Sequence, residues 1–521
     1  MTFKQVSLGS AYRYYLRQVA VGDGRRPRGK NLDQAQGEAG VPPGVWMGRA
    51  LPAVGLSSGQ TVTEGQMRNL FGEGRHPDAE RIVDDRLAAG DTPAVAERAA
   101  CLGYRVQKWS GIDLVFRPPG SVQVLWALGT DPVRRILEDL HARVLGEVLA
   151  GVESEHLWVR VGRDSQIQRA RAGVIAARFR HFEDRDGGPL LHDHVLLSVK
   201  VRRLDDQWGT LHTRPFLEYA VALSELYNQR LMEEICQQFD LATVPRYPTP
   251  GMRPVMELAG IPEQLIDFTA TRNAATMRQL AADEQTYRDR TGRRPTVKIR
   301  HRLMARASQA TRPAKKTAHP LPVLRARWRA SALARFGQAL IDNLLDAARK
   351  AACAIRQAAR TTVDIAAAAL EVTAVVAVHH GGRFRHRHLL AEARRHLART
   401  LQGHPAPPLT ATAITTAAIR DHCLPADLPA PRRPLPLAHR TFTPAWAPEP
   451  TTATSTPTAH RLHHHARAEA ALRTVRARTN SHPPRSAPPA APAPPAQAAG
   501  PRQPDLQGQP PSGPRLGPAG R

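Results

Sequence analysis

The segment "RHFEDRDGGPLLHDHVLLSV" (residues 180–199) decides the fold, because it carries three histidines around a turn signal. His181 precedes a run of Asp-Gly-Gly at 186–188, and His192 and His194 follow it. Adjacent glycines after an aspartate are typical of the tip of a β-hairpin. Three neutral imidazoles that meet at such a hairpin leave coordination positions open, so they predict a site for a divalent metal that binds substrate.

Two strands are predicted around this turn, over 172–182 and 192–204, where β-branched and large apolar residues are frequent. With the tip at 186–188, the strands pair antiparallel and His181 faces about position 193, between the other two histidines. Residues i and i+2 of a strand share a face, and directly opposed residues lie roughly 4.5–5.5 Å apart at Cβ. The three imidazoles can therefore converge on one point, which an isolated H-x-H match would not indicate.

The charge of the chain favours a polyanionic partner. The 521 residues include 73 Lys+Arg against 46 Asp+Glu, for a net charge of +27. Residues 301–521 hold 32 of these cationic residues and only 10 of the acidic ones. Nucleic acid is the usual partner of such an excess. A solvated, poorly folded basic tail explains the same excess, and both interpretations stay open.

The compartment is expected to be the cytoplasm. The four cysteines lie far apart and form no CxxC, so neither a disulfide framework nor a zinc ribbon is predicted. The first twenty residues lack the apolar core of a signal peptide. Asp364 and Glu371 interrupt the most apolar long stretch, which predicts a packed helix and no membrane insertion.

Composition divides the chain into three predicted regions. Residues 1–315 have the mixed apolar patterning of a globular domain. Residues 316–402 are rich in Ala and Arg and predict helices. Of the 45 prolines, 25 fall in residues 401–521, and such a segment cannot build a core, so 403–521 is predicted to be a disordered basic tail.

Tyrosines are concentrated at the N-terminus. Tyr12, Tyr14 and Tyr15, in "AYRYYLRQVA" (11–20), are three of only eight in the chain. Such residues often belong to an amphipathic helix packed on a core. A phenol can also attack phosphorus if a metal polarises the phosphate and a base takes the proton. Asp113, in "GIDLVF" at a predicted strand start, is a candidate for that base or for a group that orients a histidine.

These motifs, taken in order, resemble the relaxase domain of MobF-type conjugative relaxases (the TrwC/TraI class) of the HUH endonucleases. The resemblance is carried by the N-terminal tyrosines, by "WSGIDLVFRPPGSVQVLWAL" (109–128) and by the spacing H-x10-H-x-H before a hydrophobic strand. Segments 44–79, 208–231 and 268–280 also resemble pieces of that domain. The resemblance covers about residues 1–315.

The resemblance implies an α+β fold, with an antiparallel sheet flanked by helices. It implies that His181, His192 and His194 bind a divalent metal, Mg²⁺ or Mn²⁺. Asp113 falls at the family's catalytic aspartate, and Tyr14 and Tyr15 fall at its first catalytic tyrosine pair; Tyr14 best matches the nucleophile.

The implied reaction is site- and strand-specific nicking of single-stranded DNA at an origin of transfer. Tyrosine attack gives a 5′-phosphotyrosyl link and a free 3′-OH, and the reverse reaction rejoins the strand. This activity belongs to the transfer of a conjugative plasmid or mobile element.

The chain departs from the family pattern at several positions. The region 29–40 has no second tyrosine pair, Glu183-Asp184-Arg185 stands where Thr-Ser-Arg is usual, and Gly120 stands where a lysine is usual. Asp193 places a carboxylate between the last two histidines. A catalytically decayed relaxase that acts only as a DNA-binding module therefore stays open as the alternative. A metallo-β-lactamase-like hydrolase is disfavoured, because "HDHVLLS" lacks the second half of H-x-H-x-D-H.

No ATPase signature accompanies these motifs. The phosphate-binding run G-x-x-x-x-G-K-[ST] does not occur in the sequence, although 369–401 resembles the segment that leads into the family's helicase. The sequence predicts a relaxase module without a motor, for which a separate helicase and transfer or coupling proteins are the expected partners. The tail is expected to add non-specific DNA affinity through its arginines.

Overall fold

Helices and strands alternate along the chain in the computed structural model, which describes residues 1–103, 108–162, 166–248, 253–314, 317–426, 437 and 440–446. The strand pairings among these residues are antiparallel. The α+β class expected from the sequence is confirmed.

The strands of the described residues are short except at the centre of the main sheet. They are β1 (Thr2–Ser7), β2 (Val45–Met47), β3 (Trp109–Phe116), β4 (Trp158–Val161), β5 (Gln166–Arg169), β6 (Ala176–Glu183), β7 (Pro189–Ser198), β8 (Lys200–Arg202), β9 (Trp208–Thr210), β10 (Thr243–Arg246), β11 (Val255–Leu258), β12 (Phe384–Arg385), β13 (Cys423–Pro425) and β14 (Thr441–Pro444).

The α-helices of the described residues become longer toward the middle of the chain. They are α1 (Ala11–Arg17), α2 (Leu32–Ala39), α3 (Glu64–Met67), α4 (Ala79–Ala88), α5 (Pro93–Ala99), α6 (Gly120–Leu128), α7 (Asp131–Glu155), α8 (Thr213–Glu218), α9 (Ala220–Phe239), α10 (Glu263–Thr269), α11 (Thr271–Thr291), α12 (Val297–Ala310), α13 (Leu321–Phe336), α14 (Gln338–Asp342), α15 (Leu344–Ala358), α16 (Ile365–His380), α17 (His386–Leu401) and α18 (Thr410–His422).

The main sheet has five strands in the order β1-β3-β7-β6-β2, so β7 of the β6–β7 hairpin is its central strand. One face of the sheet packs on α6, α7 and α9, and α7 contributes Val144, Leu145 and Val148 at helical spacing to this core. The other face forms a second core with α1 and the segments that follow it. Because side chains alternate along a strand, the even positions of β7 face this second core.

The hairpin register differs by one residue from the expected one. His181 lies opposite His192, not position 193, and Phe179 lies opposite His194. The turn closes between residues 184 and 188, one position before the predicted tip, because the Asp184 carboxylate accepts the N–H groups of residues 186 and 188. An irregularity after His181 then adds one residue on β7.

The segment after residue 315 packs into the same core as the sheet. Leu324 and Trp328 of α13 are buried in the cluster that holds α6 and α7. The Trp328 indole N–H donates to the carbonyl of Gly187 at 2.7 Å, so α13 also contacts the tip of the β6–β7 hairpin. The described part of the region expected to be helical, 317–402, is thus built onto the predicted relaxase domain.

The expectation of disorder from residue 403 onward is wrong for the described part of that tail. Residues 410–422 form α18, which buries Ile414, Ala417 and Ala418 against α16 and α17. β12, β14 and β13 form a small sheet beside them. Proline content misled the prediction, because residues 409–424 contain no proline and carry an apolar helical face. The prediction for 447–521 lies outside the described residues.

Among the described helices, none combines the length and the hydropathy that a membrane crossing requires.

Candidate metal and tyrosine site

Three histidines meet on the face of the sheet that carries α1. The ring centroids of His181 and His192 are 4.9 Å apart, those of His181 and His194 are 4.9 Å apart, and those of His192 and His194 are 5.4 Å apart. Each ring offers one nitrogen, and the three nitrogens lie within 4.8 Å of one another. The convergence expected from the hairpin is therefore present, despite the change of register.

The hydrogen bonds of these rings leave one nitrogen of each without a protein partner among the described residues. His192 Nδ1 contacts the Leu190 carbonyl at 2.8 Å, and His194 Nδ1 contacts both oxygens of Asp113 at 2.9 and 3.0 Å. If these nitrogens carry the proton, each Nε2 keeps its lone pair. His181 Nε2 contacts the Val19 carbonyl, and its Nδ1 is buried without a partner. This donor set fits a divalent cation.

Burial keeps two of the rings neutral, which is the form that binds metal. Desolvation, followed by the charge of His194, lowers the pKa of His181 to about 3. Desolvation also lowers the pKa of His192 well below its ordinary value. Burial opposes the charged form of His194 as well, but the Asp113 carboxylate outweighs it and raises the pKa of that ring.

Asp113 joins the histidines to the tyrosine helix. It lies on β3, two residues before the position that faces His194 on β7, and its carboxylate is almost fully buried. Besides the contact with His194, one of its oxygens accepts a hydrogen bond from the Tyr15 hydroxyl at 3.3 Å. Lys4 of β1 lies directly opposite Asp113 in the sheet.

The two adjacent tyrosines of α1 have different surroundings. Tyr15 is 3% exposed, and burial followed by the charge of Asp113 strongly raises its pKa. Tyr14 is only partly buried, and its ring meets that of Tyr15 edge-on at 5.3 Å. The ammonium of Lys4 lies 5.5 Å from the centre of the Tyr14 ring. Desolvation, then the charge of Asp23, raises the pKa of Tyr14.

Tyr12, the third tyrosine of α1, is not part of this group. Its ring packs on Gly72, where an added Cβ would come within 2.6 Å of it. The structure therefore connects Tyr15 to the histidine triad through Asp113, places Tyr14 beside Tyr15, and packs Tyr12 on Gly72.

Two of the departures from the family pattern have a structural explanation. Asp193 points to the opposite face of the hairpin, where Arg180 donates to both of its oxygens at 2.9 and 3.1 Å. It therefore adds no carboxylate to the triad. Gly120 begins α6 under Ile266, and an added Cβ would come within 2.5 Å of that side chain. The Glu257 carboxylate accepts the N–H of Ser121 at 2.7 Å, so it satisfies the helix N-terminus.

Sequence reasoning missed two groups that surround the triad. The Val19 carbonyl orients His181, and no side-chain pattern can indicate a backbone contact of this kind. Asp23, in a left-handed conformation with φ 61°, adds a negative charge that contributes to the raised pKa of Tyr14 and of His194 and opposes the lowering of the pKa of His181 and His192. The "GDG" run at 22–24 signals a turn there, but its position beside the triad depends on the tertiary fold.

The model of the TrwC relaxase family matches residues 8–335. This match covers more than half of the chain, and the chain belongs to the TrwC relaxase family.

Individual relatives match more weakly. The multifunctional conjugation protein TraI of Escherichia coli is 26% identical over 166 residues, which cover 30% of this chain and 9% of TraI. The chain thus spans about a tenth of the length of this relative. Two structures of the conjugative relaxase TrwC in complex with oriT DNA, one copper-bound and one described as metal-bound, are 22% and 21% identical in sequence to this chain. Both have a TM-score of 0.45, and the alignments cover 64% of this chain and 97% of each structure.

Proposed function

We propose that this chain nicks and rejoins one strand of DNA at an origin of transfer, through a 5′-phosphotyrosyl intermediate. The observation that carries the proposal is the Asp113 carboxylate, which contacts both the Tyr15 hydroxyl and the His194 ring of the triad. Membership of the TrwC relaxase family supports the same reaction class. The expected partners are single-stranded origin DNA, a separate helicase, and transfer or coupling proteins.

Tyr14 is the proposed nucleophile. A phenol that attacks DNA must reach a phosphate that approaches from solvent. Tyr14 is partly exposed, whereas Tyr15 is buried in the core. The hydroxyl of Tyr15 is also engaged by Asp113. Tyr15 is therefore proposed as a positioning residue that holds the carboxylate against His194.

The reaction exchanges one phosphodiester for another, so it needs neither water nor an energy source. The hydroxyl of Tyr14 loses its proton as its oxygen bonds to phosphorus, and the bond from phosphorus to the 3′ oxygen breaks. The 3′ oxygen takes up a proton and leaves as a free hydroxyl, which can later attack the phosphotyrosine to restore the strand. The raised pKa of Tyr14 means that it needs a base, and Asp113, whose charge contributes to that raised pKa, is the proposed base.

His181, His192 and His194 would hold a divalent cation, Mg²⁺ or Mn²⁺. When bound, such a cation polarises a non-bridging phosphate oxygen and stabilises the charge that develops on it. Asp113 fixes the orientation and tautomer of His194, as carboxylates commonly do for metal-binding histidines. The buried Tyr15 hydroxyl keeps that carboxylate in place.

A labelled single-stranded origin oligonucleotide tests the proposal directly. We expect wild-type protein with Mg²⁺ or Mn²⁺ to form a covalent adduct that survives denaturation, and we expect EDTA to suppress it. Binding without an adduct under either metal would contradict the proposal and leave the alternative, a decayed relaxase that only binds DNA.

A further inference from the structure

A basic groove lies beside the tyrosine helix, outside the residues that the proposed reaction uses. It has a volume of about 910 Å³, and its walls are one side of α1 and the loop that joins α1 to α2. Among the described residues that line it, Glu64 supplies the only carboxylate. The cationic residues of this arginine groove are Arg13, Arg17, Arg25, Arg26, Arg28 and Lys30.

Most of this charge has no partner in the part of the chain that the structure describes. Within the described residues, the side chains of Arg13, Arg17, Arg25 and Arg28 make no hydrogen bond or ion pair. Residues 1–300 hold 41 Lys+Arg against 36 Asp+Glu, so they carry little net charge. The groove lining has six Lys and Arg residues and one carboxylate, so its own positive surplus is as large as that of residues 1–300. A cluster of cations without neutralising partners in a concave surface attracts a polyanion.

The loop that carries four of these cations is held by hydrogen bonds. The backbone N–H of Arg26 donates to the Arg17 carbonyl at 3.0 Å, which fastens the loop to the end of α1. The Arg26 guanidinium donates to the Lys30 carbonyl at 3.0 and 2.8 Å and to Glu64 at 2.7 Å. Asn31 then caps α2. The unpaired arginines therefore project from a backbone whose conformation is fixed at both ends.

An aromatic ring completes the wall. Tyr12 lines the groove, and its contact with Gly72 holds the ring in place. Unpaired cations beside an aromatic face are the combination that single-stranded nucleic acids bind, because phosphates meet the cations and bases stack on the ring. The groove has the chemistry of a site for a single strand, held mainly through its backbone.

We propose that the arginine groove holds the DNA strand that stays bonded to Tyr14 after cleavage. The inference rests on the proposed function, since a strand joined to Tyr14 has to leave the site along α1. Arg13 directly precedes Tyr14 on α1, and Arg17 lies three residues after Tyr14, about 4.5 Å from it along the helix axis. Contacts to phosphates carry no sequence information, so the groove retains this strand whatever its sequence. The 5′ end is thereby kept in place for rejoining.

The first test measures phosphate contacts without cleavage. In a Tyr14→Phe background, the affinity for fluorescent (dT)20 is measured over a range of salt concentrations. Each phosphate contact contributes about 0.7 to the log–log salt slope on single strands, so Arg25→Ala/Arg28→Ala should reduce the slope by about 1.4. The control Arg293→Ala/Arg294→Ala removes the same charge from an exposed loop between α11 and α12. Equal losses in the two double variants would overturn the proposal.

The second test identifies the strand. The position of the nick is first mapped by adduct formation with wild-type protein. Two kinds of origin oligonucleotide are then compared: one ends at the nick, and the other extends about ten nucleotides beyond it, a length within the span of one single-strand site. Extension on the 3′ side of the nick should raise the affinity of the parent and of the control, but not that of the groove variant. An equal gain in the groove variant, or a deficit confined to extension on the 5′ side, would overturn the assignment.

The two tests separate this inference from the proposed function. If wild-type protein forms no adduct with origin DNA, the proposed function fails, and the covalently held strand fails with it. The salt slope with (dT)20 does not depend on cleavage, so it still decides whether the groove binds phosphates.

Discussion

The two faces of the β6–β7 hairpin carry the same kinds of residue in different settings. On one face, Tyr15, Asp113 and His194 are in contact beside two further histidines. On the other face, Tyr227 is hydrogen-bonded to His141 at 2.8 Å, and Asp193 lies 3.6 Å from that ring. Residue type alone therefore does not distinguish a site from a structural network.

Partners and access distinguish the two faces. Arg180 and Arg178 neutralise Asp193, and Tyr227 and His141 are completely inaccessible to solvent. On the triad face, the His194 side chain keeps 14% of its surface exposed, and each of the three rings has a nitrogen without a protein partner among the described residues. The network around Asp193 is closed to solvent, whereas the triad face combines access from solvent with the ring nitrogens that a metal ion would need.

The largest expected effect comes from removing two rings of the triad. His192→Ala/His194→Ala should reduce adduct formation by about 10⁴-fold, since losing even an indirect partner of a metal ligand costs 10- to 100-fold. Mn²⁺ at about 100 times its dissociation constant should raise the unfolding free energy of wild-type protein by about 2.7 kcal/mol. The double variant should lose this gain too. Full cleavage by the double variant in EDTA would show that the triad holds no catalytic metal.

The matching change on the opposite face should affect stability and leave metal binding unchanged. Asp193→Ala leaves the buried guanidinium of Arg180 without its carboxylate, which should reduce the unfolding free energy by about 3–5 kcal/mol. Denaturant unfolding measures this loss, and a titration with Mn²⁺ below the transition measures metal affinity. A large fall in metal affinity without loss of stability would mean that the two faces are not separate.

Asp113→Asn should have an intermediate effect, because it keeps the shape of the side chain and removes its charge. Metal affinity should fall about 10- to 100-fold, as is typical when the partner that orients a ligating histidine is lost. DNA binding should persist. Unchanged metal affinity with lost cleavage would instead make Asp113 only a base and not an orienting group.

The parts of this contrast that involve residues close together in the sequence could be predicted, and the parts that involve distant residues could not. The triad could be predicted, because a turn signal and the two-residue period of strands bring His181, His192 and His194 together. The register was off by one, because the Asp184 turn and the irregularity after His181 depend on local hydrogen bonds. The contact of Tyr15 with Asp113 spans 98 positions and depends on how α1 packs across the sheet.

Local composition was a poor guide in two places. The acidic residue Asp193 looked like part of the metal site, but alternation along the strand sends it to the other face. Proline density suggested a tail from residue 403, whereas the apolar face of 410–422 packs as a helix. Both errors came from residue content considered without the direction in which side chains point.

The smallest expected effects come from a matched pair of tyrosines. Tyr15→Phe and Tyr227→Phe each remove one buried hydroxyl and one hydrogen bond, so each should cost about 1 kcal/mol of unfolding free energy. Only Tyr15→Phe should also reduce the rate of adduct formation, because only that hydroxyl holds Asp113. An equal decrease in rate for both variants would mean that the effect is general loosening of the sheet.

The most direct test of the central claim is to identify the residue that carries the DNA. Wild-type protein is allowed to react with origin DNA and Mn²⁺, the adduct is digested with nuclease and protease, and the modified peptide is sequenced by mass spectrometry. The account predicts a nucleotide joined through its 5′ phosphate to Tyr14 in the peptide that spans α1. A nucleotide on Tyr15 or Tyr12, or an adduct that forms equally well in the Tyr14→Phe protein, would contradict it.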